Sequence, residues 1–213
     1  MKATRIIAIR HGETAWNVDT RIQGQLDIPL NETGRWQAER AAEALTDQGI
    51  DHIYASDLAR AWETAHRIGQ KTGLVIQPEQ GLRERGFGEF EGLTFAEIEA
   101  QRPEQSQRWR QRDPHFAPPG GGESLLDFRD RVINTTLALA ARHAGEHIVL
   151  VAHGGVMDVL YRAATGQDLQ APRTWHLGNA ALNRLLWHPE GLSLVGWGDV
   201  AHLQQDGLDE ISS

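Results

Sequence analysis

The chain predicts an α/β fold: a three-layer α/β/α sandwich around a mainly parallel sheet, with a small cap inserted. Three observations carry this. Strand-like and helical stretches alternate along the sequence. Two short runs, "TRIIAI" and "EHIVLVA", are apolar enough to read as buried strands. The length of 213 residues, 40% of them hydrophobic, suits one domain with an insertion.

In order, "TRIIAI" is the first strand. "NETGRWQAERAAEALTDQG" is a helix that stops at Gly49. "IDHIYAS" is the second strand, and "DLARAWETAHRIGQKTG" a helix that Gly73 closes. "LVIQP" is short and strand-like. "LLDFRDRVINTTLALAARHAG" sets Leu125, Phe128, Val132, Leu137 and Leu139 on a broad apolar face. "EHIVLVA" follows as a strand and "VMDVLYRAATG" as a helix. "ALNRLLWHP" and "GLSLVGWGD" form a hairpin turning at Pro189–Gly191. The stretch from Arg102 to Gly122 breaks the alternation with Arg, Pro and Gly. Residues 88–122 are therefore expected to cap a site within a single domain, 1–213. "QQDGLDEISS" reads as a polar tail.

The net charge of −8, from 21 basic and 29 acidic residues, argues against broad binding to nucleic acid or an anionic membrane. Without cysteine, disulfides, thiolate catalysis and cysteine-ligated metals are excluded. No long apolar run or leader-like segment is read, so a cytoplasmic protein is expected. His143 and His147 stand four apart, but Gly145 between them marks a helix end and speaks against a metal pair.

Ligands of parallel α/β sheets collect at the carboxyl ends of strands. Arg10 and His11 follow the first strand, Ser56, Asp57 and Arg60 the second, Glu84 the third, and His153 with Gly154 the fourth. Two arginines, two histidines and a carboxylate suit phosphoryl transfer through an imidazole. Guanidinium groups grip the phosphate oxygens. A neutral histidine attacks phosphorus. A carboxylic acid protonates the leaving alkoxide. A second, charged histidine would stabilise the transition state. Gly12 and Gly154 would let backbone approach the phosphate.

Each group also has a plainer reading. Arg60 could be a solvated helix residue, Glu84 could pair with Arg83 and Arg85, and His153 could be a core histidine. Arg83 and Arg85 would favour the carboxylate, whereas a general acid must hold a proton.

"RHGET" with Asn17, then "SDLARAWETA", "LRERGFGEFEG", "GGGES" and "VAHGG", in this order, resemble the histidine phosphatase superfamily in its phosphoglycerate mutase-like branch. The resemblance runs from the first strand to His153. It implies that His11 is the phosphorylated nucleophile, that Arg10, Arg60 and His153 bind the phosphoryl group, and that Glu84 is the proton donor. Asn17 and Gln23 match family positions around the same pocket. The expected activity is a metal-independent phosphomonoesterase acting on a small phosphorylated metabolite, with no cofactor. "ERGFGEFEGLTFAEI" is closer to the phosphatase side than to a cofactor-dependent mutase, the rival reading. A non-catalytic module would be expected to lack His11, Glu84 or His153. In the cap, Arg102, Arg108, Arg110 and Arg112 with Trp109, His115 and Phe116 suggest either an anionic organic group or a solvated basic helix. The oligomeric state, a homodimer among the options, is left open.

Overall fold

The computed structural model describes residues 2–204; most of the expected polar tail, from 205 onward, lies outside them. Six strands form one sheet in the order β3-β2-β4-β1-β5-β6. They are β1 (Thr4–Arg10), β2 (His52–Ala55), β3 (Ile76–Pro78), β4 (His147–Ala152), β5 (Leu182–His188) and β6 (Gly191–Asp199). The first four are mutually parallel; β5 and β6 are an antiparallel hairpin added beside β1.

The two central strands explain the apolar runs. Along β1, Ile6 and Ala8 face one core while Ile7 and Ile9 face another. Along β4, Ile148, Leu150 and Ala152 alternate with Val149 and Val151 in the same way. Both faces are covered, so Ile6–Ile9 and Ile148–Ala152 are apolar at every position. Helices α6 (Leu125–Arg142) and α7 (Gly154–Thr165) cover the first face through Phe128, Val132, Met157 and Leu160. Helices α2 (Glu32–Leu45) and α3 (Ala59–Thr72) cover the second through Ala41, Leu45, Ala61, Ala65 and Ile68.

Local signals set the helix ends. Asn31 caps α2 by accepting from the Gly34 N–H, and Ser124 caps α6 by accepting from Asp127. Gly73 ends α3 in the left-handed conformation. Helix α3 starts at Ala59 rather than Asp57, because Ser56 and Asp57 are drawn to His153 and Arg83. A single turn, α1 (Ala15–Val18), follows β1.

Residues 88–122 hold more structure than their composition suggests. Helix α4 (Phe95–Gln101) opens on a capping box from Thr94 and Glu97, and α5 (Pro103–Arg110) carries proline in its first turn. Phe90, Ile98 and Phe116 form a separate small core with Phe87 and Trp109 packed on it. No helix among the described residues is long and apolar enough to cross a membrane.

Candidate active site

The carboxyl ends of β1 and β4 lie side by side, with Arg10 opposite Ala152 in the register. That adjacency brings His11 and His153 together, their ring centroids 5.3 Å apart. A cavity of about 170 Å³ opens over them, lined by Arg10, His11, Asn17, Gln23, Arg60, Glu84 and Gly154. A larger cleft of about 440 Å³ shares Arg10, Glu84, Phe87 and Gly154 with it.

His11 is buried, and its Nδ1 lies 2.7 Å from the Gly12 carbonyl. A carbonyl only accepts, so Nδ1 carries the proton and Nε2 keeps its lone pair. Burial, then Arg60 and Arg10, hold this imidazole well below its usual range, so it is neutral near pH 7.

The two arginines make no ion pair among the described residues. Arg60 is 1% exposed and donates to the Leu26 and Gly24 carbonyls at 2.8 and 2.7 Å. Arg10 donates to the Leu177 carbonyl. In each the Nε–H is buried and unpartnered. Burial lowers both pKa values, that of Arg60 to about 10, and both groups stay charged at neutral pH. The solvated reading of Arg60 is excluded by its burial.

Glu84 accepts from two backbone N–H groups, Arg85 at 2.9 Å and Gly155 at 2.9 Å. A Cβ on Gly155 would stand 2.2 Å from Glu84 Oε1, so only glycine admits the carboxylate there. Arg131 supports the segment from below, donating to the carbonyls of Gly81, Arg83 and Glu84. The flanking arginines face elsewhere. Arg83 makes a two-pronged pair with Asp57, which it holds below the usual carboxylate range, and Arg85 donates to the Glu123 and Phe116 carbonyls. Arg83 is thus taken up by Asp57, while Arg85, Arg10 and Arg60 all remain close enough to act on the Glu84 carboxylate.

Other expected residues divide. Asn17 uses Oδ1 on the Thr14 backbone and on Asn179 Nδ2, which leaves its own amide N–H₂ for the cavity it lines. Gln23 lines the cavity with Oε1 buried and unpartnered. Gly12 does not line it. Its N–H donates to Thr64 Oγ1, and a Cβ would meet the Gly34 carbonyl at 2.3 Å, so this glycine serves the packing of α2 against the loop. His153 is fully buried behind His11, with Nε2 2.8 Å from Ser56 Oγ and Nδ1 unpartnered. Burial, then Arg60 and His11, push it well below the usual imidazole range. The expected charged second histidine is neutral in the free cavity.

Within residues 88–122, Arg102 pairs with Glu89, Arg110 with Glu99 and Arg108 with Asp113, and Phe116 is buried in the small core. Only Arg112 and Trp109 reach the cleft. Asn179, Ser56, Thr64, Gly155 and Arg131 complete the first supports; of these Ser56 and Thr64, both in "SDLARAWETA", and the second glycine of "VAHGG" lay in quoted motifs. His143 and His147 share no helix: His143 caps α6 and His147 opens β4.

A buried neutral histidine, two arginines without ion pairs among the described residues and a backbone-held carboxylate stand together at the carboxyl edge of an α/β/α sandwich. The chain belongs to the histidine phosphatase superfamily (branch 1), whose family model matches residues 6–200. It is 40% identical over 206 residues to phosphoglycerate mutase-like protein 4 of Arabidopsis thaliana, covering 95% of this chain and 88% of the relative. It is 40% identical over 197 residues to glucosyl-3-phosphoglycerate phosphatase of Mycobacterium tuberculosis, covering 88% and 87%. The structure of Entamoeba histolytica phosphoserine phosphatase with 3-phosphoglyceric acid superposes with a TM-score of 0.84 at 27% identity, covering 94% of this chain and all of that one.

Proposed function

We propose that the protein is a phosphomonoesterase of the histidine phosphatase type, acting on a small phosphorylated metabolite. The observation that carries it is His11: neutral, oriented by its Nδ1–H bond to Gly12, with Nε2 free in a cavity that Arg10 and Arg60 also line. Nε2 attacks phosphorus while the bond to the ester oxygen breaks. Glu84, facing the bound dianion, gives its proton to the departing alkoxide. Arg10, Arg60 and the Asn17 amide hold the phosphoryl oxygens. Gly154 leaves room for them, Gln23 closes the wall, and His153 steadies His11 from behind. Water then attacks the phosphohistidine, Glu84 takes its proton, and inorganic phosphate leaves. The charge needed is supplied by arginine, so the scheme calls for no metal.

The test is the fate of the phosphoryl group. Labelled substrate leaves acid-labile, base-stable label on the wild type and none on His11→Ala, and inorganic phosphate appears in step with alcohol. Rapid interconversion of 3- and 2-phosphoglycerate that depends on a bisphosphate primer, with little free phosphate, favours the mutase instead.

The substrate class follows from the cleft. Residues 88–122 act as its cap, contributing Trp109 and Arg112. Arg173 and His176 line the other side, and Arg173 makes no ion pair among the described residues. Such a wall suits a leaving alcohol that carries a carboxylate, in keeping with the names of the phosphoserine and glucosyl-3-phosphoglycerate phosphatases. Wild type should prefer 3-phosphoglycerate to glycerol 3-phosphate, which differs in lacking the carboxylate. Arg173→Ala should cut that preference by about tenfold in kcat/KM. Equal use of both esters by the wild type rejects the carboxylate.

A further inference from the structure

At the amino ends of the parallel strands, opposite the cavity, three side chains from separate elements meet. His52 opens β2, His143 caps the end of α6, and Glu146 sits in the turn that leads into β4. One ligand atom from each lies within 4.8 Å of the others. Glu146 Oε2 is 2.6 Å from His143 Nδ1 and 3.0 Å from His52 Nε2.

We propose that His52 Nε2, His143 Nδ1 and the Glu146 carboxylate form a binding site for a borderline divalent cation of the zinc class. Two imidazoles and one carboxylate are a zinc-type donor set, with water completing a tetrahedron. Zinc bonds of about 2.0–2.2 Å set neighbouring donors roughly 3.3 Å apart, so the Glu146 carboxylate has to move out from its 2.6 and 3.0 Å contacts. Its side chain is 45% exposed and that of His52 34%, with the His52 ring packed against that of His143 at 4.0 Å between centroids.

His143 is the fixed member. It is buried, and its Nε2 lies 2.8 Å from the hydroxyl of Tyr54, itself buried in the core. The turn below it is pinned: the Glu146 N–H donates to the His143 carbonyl at 2.9 Å, and the Thr4 hydroxyl donates to the same carbonyl at 3.0 Å. Tyr54 is thus the outer partner that a ligating histidine requires. Without metal, Tyr54 donates to Nε2 while Nδ1–H donates to Glu146. With metal, the imidazole proton moves to Nε2 and donates to the tyrosine oxygen, and the Nδ1 lone pair meets the cation. His52 does the same at its own ring, its proton passing from Nε2 to Nδ1 so that the Nε2 lone pair meets the cation. Three donors on three elements make the bound ion a tie between β2 and the α6–β4 turn, remote from His11.

The probe is zinc itself, titrated by calorimetry into the full chain carrying His11→Ala, so that the catalytic imidazole contributes no heat. One equivalent binds, and adding His52→Ala or Glu146→Gln weakens it at least tenfold. Both substitutions are at half-buried side chains outside the main cores, and unchanged far-UV circular dichroism of each variant without metal checks that the fold is kept. Zinc raises the melting temperature of the parent and not of the His52→Ala protein, and anomalous diffraction places the ion between His52 and His143. No binding at millimolar zinc overturns the proposal. Binding that survives both substitutions unchanged overturns it equally.

Discussion

Arg60 spends its N–H groups on the carbonyls of Leu26 and Gly24; Arg108 in helix α5 spends its own on the carboxylate of Asp113. The two carry the same charge in opposite settings. A carbonyl satisfies hydrogen bonds without cancelling charge, so Arg60 and Arg10 keep a full positive field for an incoming dianion. Burial sharpens that field, because little water is left to screen it. Arg102, Arg108 and Arg110 are neutralised by their partners near the surface, where solvent screens such pairs and little is gained. A basic stretch in sequence is thus no guide to where positive potential lies.

The largest effect expected from this contrast is at Arg60. Arg60→Ala should lower kcat/KM by roughly 10²–10³-fold, the loss typical of one preorganised donor at a developing charge. Arg60→Lys should recover only part, because it keeps the charge and loses the fork. Arg108→Ala is the opposing arm, with activity within about twofold of wild type. Equal losses at both positions, measured by phosphate release, would erase the distinction.

Next comes Glu84. Glu84→Gln should slow phosphorylation by an alkyl phosphate about 10²-fold, and by p-nitrophenyl phosphate far less, since that leaving group needs little protonation. Single-turnover assays separate this step from hydrolysis of the phosphoenzyme. Equal slowing of both esters would take the acid role from Glu84.

The smallest effect is on stability against pH. His11 and His153 are held well below the ordinary imidazole value by burial and by Arg60. Below about pH 6.5 the unfolded chain takes up protons there that the folded protein refuses. Stability therefore falls as the pH drops below about 6.5, and this contribution levels off above it. Denaturant titrations from pH 5 to pH 8 should show a shallower fall for His11→Asn than for wild type. Unchanged slopes would mean that the buried imidazoles are not the groups responsible.

Much of the architecture was legible in the sequence because it rests on local periodicity. The alternation of strand and helix, the apolar runs of β1 and β4, and the stops at Gly73 and the 189–191 turn all act within a few residues. Helices α4 and α5 were hidden because their apolar residues serve a small core of their own, which no regular period announces. The boundary at Ala59 was missed because Ser56 and Asp57 are claimed by partners far along the chain.

The same division runs through the site. By itself the sequence determined which residues stand at the ends of β1 and β4, since a strand carries its terminal residues to the sheet edge by its own geometry. Arg10, His11 and His153 needed nothing more. The tertiary structure alone decided their chemical state. The proton on His11 Nδ1 depends on where the Gly12 carbonyl points, the neutrality of both histidines on how deeply they are buried, and the freedom of Glu84 on Arg83 turning to Asp57. It also reassigned Gly12 from the phosphate to the packing of α2 and recruited Gly155, Arg131 and Asn179, which no motif had marked as site residues. Protonation and orientation are properties of surroundings, and the surroundings of a side chain come from residues distant in sequence.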